Sequence, residues 1–104
     1  MTSARLDAFR AMLAKNPANA LAHFGLANEA AKEGLHDEAV EHLRAYLELH
    51  EDEGNAYGRL AESLLALDRV DEAKESLRRG IEVATRFGHP GMASDFEMKL
   101  EELE

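Results

Sequence analysis

The chain has 104 residues, of which 45% are hydrophobic, enough for one small domain with a core but not for two. It contains no cysteine, so a disulfide framework and thiolate chemistry are excluded. Twelve basic against 21 acidic side chains give a net charge of −9, which disfavours nucleic acid and anionic membrane surfaces as partners.

The first predicted element is a helix over residues 3–16, which ends where Asn16 precedes a proline. Its apolar residues recur three and four apart, the helical period: Leu6, Phe9, Met12 and Leu13. The segment has three basic residues and one acidic residue, as a transit peptide could, but its apolar stripe favours an ordinary helix. It lacks a secretory apolar core, and no apolar run in the chain is long enough for a bilayer span, so we expect a cytoplasmic protein.

Two helices separated by a glycine turn follow. The second helix runs from about Asn19, a good N-cap residue, to Glu33, and Gly34 supplies the left-handed closing residue. The third helix opens near Asp37, whose carboxylate suits the positive end of the helix dipole, and it ends near Leu49.

Three further helices are predicted after an acidic connection at residues 51–54. The fourth and fifth carry apolar side chains at helical spacing, and the fifth ends by Phe87. The tripeptide His89-Pro90-Gly91 separates the fifth helix from a last helix. The apolar residues of this last helix share one side: Met92, Phe96, Leu100 and Leu103. Because all connections are short, consecutive helices should be antiparallel neighbours.

The chain repeats itself at a spacing of thirty-four residues, so that residues 20–53 align with residues 54–87. The matching segments are Leu26-Ala27 with Leu60-Ala61, Asp37-Glu38-Ala39 with Asp71-Glu72-Ala73, Leu43 with Leu77, and Leu47-Glu48 with Ile81-Glu82. A fixed period of this size is typical of a solenoid, in which each unit buries its apolar face only against its neighbours.

The repeated helix pairs resemble the tetratricopeptide repeat family, in particular its small bacterial-type members. The residues that match the family pattern are His23, Leu26, Ala27, Ala30, Gly34, Ala39, Leu43 and Tyr46 in the first repeat, and Tyr57, Leu60, Ala61, Leu64, Asp68, Ala73, Leu77 and Gly80 in the second. The chain departs from the pattern where Asp68 replaces the turn glycine and where Tyr46 replaces a small residue. The usual closing proline is also replaced, by Glu51 and by Thr85.

The resemblance implies an all-α fold, a right-handed α-solenoid of helix-turn-helix repeats with about six helices. It implies one domain over residues 1–104, composed of a half-repeat helix at 3–16, repeats at 20–53 and 54–87, and a capping helix at 90–104. Since half-units close both ends, we expect a monomer rather than a homo-oligomer.

The resemblance also implies a function, because tetratricopeptide arrays typically bind a peptide or protein segment in a groove lined by the first helix of each pair. The groove-facing candidates are Leu21, Phe24, Asn28 and Lys32 in the first repeat, and Asn55, Arg59 and Glu62 in the second. Asn amides can pair with an extended peptide backbone, and Arg can bind a carboxylate through two hydrogen bonds. In the alternative interpretation, Leu21 and Phe24 pack against the first helix and the polar residues are only solvated.

Other functions find less support in the sequence. His36 and His42 are six residues apart and His42 and His50 are eight apart, so neither pair has the spacing of two ligands on one helical face. We therefore expect neither a metal site nor a cofactor. No serine lies in a nucleophile elbow or a phosphate-binding loop, so an enzyme is not predicted. Two alternatives stay open: the acidic residues 48–53 could bind a basic partner, and the terminal helices or the groove could mediate self-association.

Overall fold

The computed structural model describes residues 3–104, and these form six α-helices and no β-strand. The helices are α1 (Ala4–Lys15), α2 (Ala20–Lys32), α3 (His36–Leu49), α4 (Asn55–Ala66), α5 (Val70–Arg86) and α6 (Pro90–Leu103). They lie where the apolar period predicts, which confirms the all-α expectation. Among the described residues, no helix combines the length and the apolar character needed to cross a bilayer.

The helices fall into two compact units. The first unit ends at Glu51 and contains α1 to α3, and the second unit runs from Asp52 to Glu104 and contains α4 to α6. Each unit therefore holds one repeated helix pair and one additional helix. That residues 1–104 form a single domain stays a prediction.

Side-chain oxygens cap the first helix of each pair. The Asn19 side chain accepts a hydrogen bond of 3.1 Å from the backbone N–H of Ala22, as the sequence predicts for an N-cap. At the start of α4, Asp52 Oδ2 accepts hydrogen bonds from the backbone N–H groups of Gly54 at 2.8 Å and Ala56 at 2.9 Å. Both oxygens satisfy N–H groups that have no partner within the helix.

The helices α2 and α4 end in the same way despite a sequence difference. After each, a backbone N–H reaches the carbonyl five residues earlier, at 2.8 Å after α2 and 2.9 Å after α4. The residue inside this loop is left-handed in both cases, Gly34 with φ 78° and Asp68 with φ 59°. Aspartate tolerates this conformation better than most residues with a β-carbon, so the turn survives the replacement of glycine.

In the first unit, α1 is held against the helix pair by apolar and ionic contacts. The buried core is formed by Leu6, Leu26, Ala30 and Ala39, with Phe9, Leu13 and Ala31 packed against it. The Phe9 ring lies so close to α2 that a β-carbon on Gly25 would overlap it. Arg10 of α1 donates to both carboxylate oxygens of Glu38 at 2.8 and 2.9 Å, a two-pronged bridge to α3. This contact supports the interpretation of the basic first segment as an ordinary helix.

In the second unit, the extra helix follows the pair, and its phenylalanine enters between two glycines. A β-carbon on Gly58 would lie 2.7 Å from the Phe96 ring, and one on Gly80 would lie 2.9 Å from it. Such distances are too short for carbon atoms, so only glycine admits the ring at these positions. The pair itself is joined by the Ser76 hydroxyl, which donates a hydrogen bond of 2.7 Å to the backbone carbonyl of Tyr57.

Candidate functional site

Four of the predicted binding residues lie along α2 and share one face of it, which we call the α2 face: Leu21, Phe24, Asn28 and Lys32. They are three and four residues apart, and the buried residues of α2 lie on the opposite side: Ala22, His23, Leu26, Ala27 and Ala30. The Leu21 side chain is 74% exposed. The alternative interpretation, in which Leu21 packs against the first helix, is therefore wrong.

Phe24 extends the α2 face towards α3. Its ring centroid lies 4.8 Å from that of Tyr46, and Tyr46 lies 5.0 Å from the ring of His50. Phe24 is half-buried as a result, whereas Lys32 is exposed and lies 3.9 Å from Glu29 in the same helix. The first unit thus packs the half-buried ring of Phe24 against the buried Tyr46, and the exposed Leu21 lies on the same face of α2 as Phe24.

The three other predicted residues lie on α4 in the second unit, and we call them the α4 face: Asn55, Arg59 and Glu62. All three are exposed, and they lie opposite the buried residues of the helix: Ala56, Leu60, Ala61, Ser63 and Leu64. That the α2 face and the α4 face form one binding surface stays a prediction.

Within the second unit, a cleft of about 300 Å³ opens between α4, α5 and α6, and Glu62 is the predicted residue that lines it. Its apolar lining consists of Gly58, Ala61, Leu65, Leu77 and Phe96. Three exposed charged side chains surround this lining: Glu62, Asp95 and Lys99. The structure thus combines an apolar recess with a charged rim.

Sequence reasoning missed most of this cleft because it treated the last helix only as a cap. A signal was available in the repeat itself. Continuing the thirty-four-residue register places Asp95 opposite Ala61 and Lys99 opposite Leu65, so charged residues stand where the preceding repeat is apolar. Such a change on a helix of the same type indicates that this side of the last helix is exposed to solvent.

Two histidines from different helices, His23 of α2 and His42 of α3, meet in the first unit. His23 Nε2 lies 2.7 Å from the carbonyl of Pro17 and must donate to it, so the neutral ring of His23 accepts at Nδ1. His42 Nδ1 lies 2.8 Å from this atom and is therefore the donor. Burial lowers the pKa of His42 because the charged ring would lose hydration, and the nearby carboxylate of Glu41 opposes this effect. Within residues 3–104, no three His, Cys, Asp or Glu side chains are grouped to hold a metal ion.

Part of the acidic run at residues 48–53 has a local role in the structure. Asp52 caps α4, and Glu53 Oε1 lies 2.6 Å from His89 Nε2 at the start of α6. These contacts give two charges of the run a role at the ends of helices.

Comparison with known proteins agrees with this architecture. The sequence model of the tetratricopeptide repeat matches residues 30–86, more than half of the chain. The crystal structure of MamA superposes with a TM-score of 0.71 at 20% identity, and the match covers 95% of this chain and 66% of that chain. The chain thus spans just under two thirds of the length of that neighbour, and the likeness concerns the fold alone.

A search of curated proteins finds no match to the sequence. The family match and the repeated helix pairs decide the assignment independently of it. The chain therefore belongs to the tetratricopeptide repeat family.

Proposed function

We propose that the chain is a protein–protein interaction module that binds a peptide or protein segment on the α2 face and the α4 face. The family generally mediates protein interaction or assembly, and no catalytic step is part of the proposal. The observation that carries the proposal is Leu21, an apolar side chain 74% exposed beside the half-buried ring of Phe24. A single exposed leucine is ordinary, but one that shares a helix face with a partly exposed phenylalanine ring adds to a larger apolar surface.

The residues of the two faces would contact different chemical groups of the partner. Leu21 and Phe24 would bury an apolar side chain of the partner. The amides of Asn28 and Asn55 can each donate to and accept from an extended peptide backbone. The positive charge of Arg59 favours a partner carboxylate near α4.

A selection of random dodecapeptides displayed on phage tests the proposal with the full chain as bait. Peptides that it enriches should bind at least several-fold more weakly to Leu21→Ser, because the variant removes exposed apolar contact area. Leu49→Ser is the matched control, since Leu49 is a 47% exposed leucine of the same unit that lies outside the α2 face. Equal binding by wild type and Leu21→Ser, or enrichment of no peptide at all, would contradict the proposal.

The choice of Leu21 follows from its exposure. Phe24→Ala also removes a ring contact with Tyr46, so a loss of binding by that variant would mix recognition with folding. Arg59→Glu supplies a second variant, on the α4 face, for enriched peptides that carry a carboxylate, and their loss of binding should grow as ionic strength falls.

Self-association is the second candidate function, and Met98 is the observation that favours it. This side chain of α6 is 61% exposed, whereas Phe96 is half-buried against Gly58 and Gly80. Sedimentation velocity over a wide concentration range should then show a dimer that Met98→Ser abolishes. A constant monomer mass at the highest concentration would eliminate this candidate.

A further inference from the structure

We propose that the cleft of the second unit binds a large apolar side chain of a partner peptide that has a lysine or arginine next to it. This inference rests on the proposed function and names the kind of segment that the α4 face would accept. It follows from the size of the cleft, the nature of its lining and the charges around it.

The size of the cleft fits a side chain better than a whole ligand. At about 300 Å³ it is at the lower end of the range of roughly 300–1,000 Å³ in which compact small molecules bind. A leucine, methionine or phenylalanine side chain anchored on a peptide would fit within such a recess and leave room for the atoms next to it.

The lining is apolar because it consists mainly of glycine, alanine, leucine and phenylalanine. The Phe96 ring packs against Gly58 and Gly80, and Phe96 and Gly58 both line the cleft. Leu65 and the buried Leu77 complete the apolar lining. Contact with these groups would remove the apolar part of the incoming side chain from water.

The charges around the cleft favour a lysine or arginine next to the apolar side chain of the partner. Glu62 and Asp95 line the cleft, and neither forms an ion pair with any of the described residues. Lys99 is the opposing charge, but its Nζ lies 3.5 Å from Glu102 Oε2. The two carboxylates are therefore left to a cation supplied by the partner.

The other charges of α6 strengthen this preference for a basic neighbour at longer range. Its exposed acidic residues are Asp95, Glu97, Glu101 and Glu102, against Lys99 as its one basic residue. A negative surface attracts a basic segment before contact and disfavours an acidic one. Because these charges are exposed to solvent, we expect them to contribute more to selectivity and association rate than to affinity.

The selection with phage-displayed random dodecapeptides also tests this inference, through the sequences of the enriched peptides. Among peptides enriched by the full chain, Lys or Arg should stand next to Leu, Met or Phe more often than in the starting library. These peptides should bind the double variant Glu62→Gln/Asp95→Asn about three- to tenfold more weakly, since each exposed charge pair contributes modestly. The loss should shrink at high salt, because exposed charges are screened.

The matched control is the double variant Glu75→Gln/Glu82→Gln, which removes two exposed carboxylates of α5 that do not line the cleft. It should bind the enriched peptides within twofold of wild type. Equal weakening by both double variants would overturn the inference, because general charge and not the cleft would then explain binding.

Three further outcomes also overturn it, and the first separates it from the proposed function. Peptides that lose affinity for Leu21→Ser but not for Glu62→Gln/Asp95→Asn would leave the interaction module standing without this cleft. Enrichment of no peptide would remove both. A second copy of the chain as the occupant would appear in sedimentation as self-association that Glu62→Gln/Asp95→Asn weakens, and it would equally exclude a partner peptide.

Discussion

The two units carry different side chains at equivalent positions of the repeat, aromatic rings in the first and glycines in the second. In the repeat alignment, Phe24 corresponds to Gly58 and Tyr46 corresponds to Gly80. The first unit places its own two rings in contact, 4.8 Å between centroids. The second unit has no side chain at either position and receives the ring of Phe96 from α6 instead. The aromatic group can therefore come from within the pair or from the next helix.

This difference has a consequence for the surface of each unit. Where the rings belong to the pair, as in the first unit, Tyr46 is buried and its ring contacts those of Phe24 and His50. Where the ring comes from α6, it leaves a recess beside Gly58 that is lined by Leu65 and Leu77. The same repeat thus supports a pair of packed aromatic rings in one unit and an apolar cleft in the other.

The largest effect that would test this comparison is expected for Phe96→Ala. Loss of the ring should lower the free energy of unfolding by about 3 kcal/mol, the low end for phenylalanine in a core, because Phe96 is only half-buried. Urea unfolding followed by circular dichroism measures the change. Phe9→Ala is the counterpart in the first unit and should cost less, since Phe9 fits against one glycine and Phe96 against two. A larger cost for Phe9→Ala would reverse the comparison.

Gly80→Ala should destabilise the second unit by about 2 kcal/mol, because the added methyl group forces the Phe96 ring and the Tyr57 β-carbon to move. Alanine normally stabilises a helix more than glycine does, so a loss of stability in this variant would indicate a steric conflict with the ring. Gly91→Ala is the control, since nothing lies within 4 Å of a β-carbon there, and it should leave stability unchanged or raise it. A stabilising Gly80→Ala would mean that the ring does not occupy this position.

The turns of the two repeats offer a smaller and reciprocal test. Asp68→Gly should stabilise the chain by about 0.5–1 kcal/mol, because glycine adopts the left-handed conformation with less strain than aspartate. Gly34→Asp should destabilise it by a similar amount for the same reason. Thermal unfolding of both variants checks the pair, and shifts in the same direction would show that the two turns are not equivalent.

The smallest effect concerns the histidine pair, which has no counterpart in the second unit, where Tyr57 and Ser76 stand at these repeat positions. Burial lowers the pKa of His42 in the folded chain, so the unfolded chain binds the proton first. Stability should be unaffected well above the unfolded pKa of about 6.5 and should fall as the pH decreases through that value towards the folded pKa.

Urea unfolding between about pH 8 and about pH 5, compared for wild type and His42→Gln, isolates this contribution because His42 titrates from an ordinary pKa of about 6.5. The variant should show a shallower loss of stability on acidification. The groups that face His42 stay in place in both proteins: Glu41, His23, Glu38 and Arg10. Parallel pH profiles would show that the pair does not couple to folding.

Local signals in the sequence were sufficient for the helices and their ends. The period of apolar residues located all six helices, and Asn19 and Gly34 have the predicted roles at the ends of α2. Asp68 was recognised as a departure from the turn glycine, and the structure shows that it adopts the same conformation.

The cleft and the histidine pair depend on which side chains meet, and spacing along one helix does not determine this. His23 and His42 lie on different helices, so a search for ligands on one helical face could not relate them. The alignment of Phe24 with Gly58 and of Tyr46 with Gly80 was present in the sequence, but it indicates a missing ring without identifying its replacement.

The central claim is that the cleft beside Gly58 receives a partner side chain, and amide chemical shifts test it most directly. A peptide enriched by the full chain would be titrated into the isotopically labelled protein. We expect the largest shift changes at Gly58, Glu62 and Phe96, which line the cleft. Changes confined to the first unit, or to the residues of α5 that lie outside the cleft, would contradict the claim.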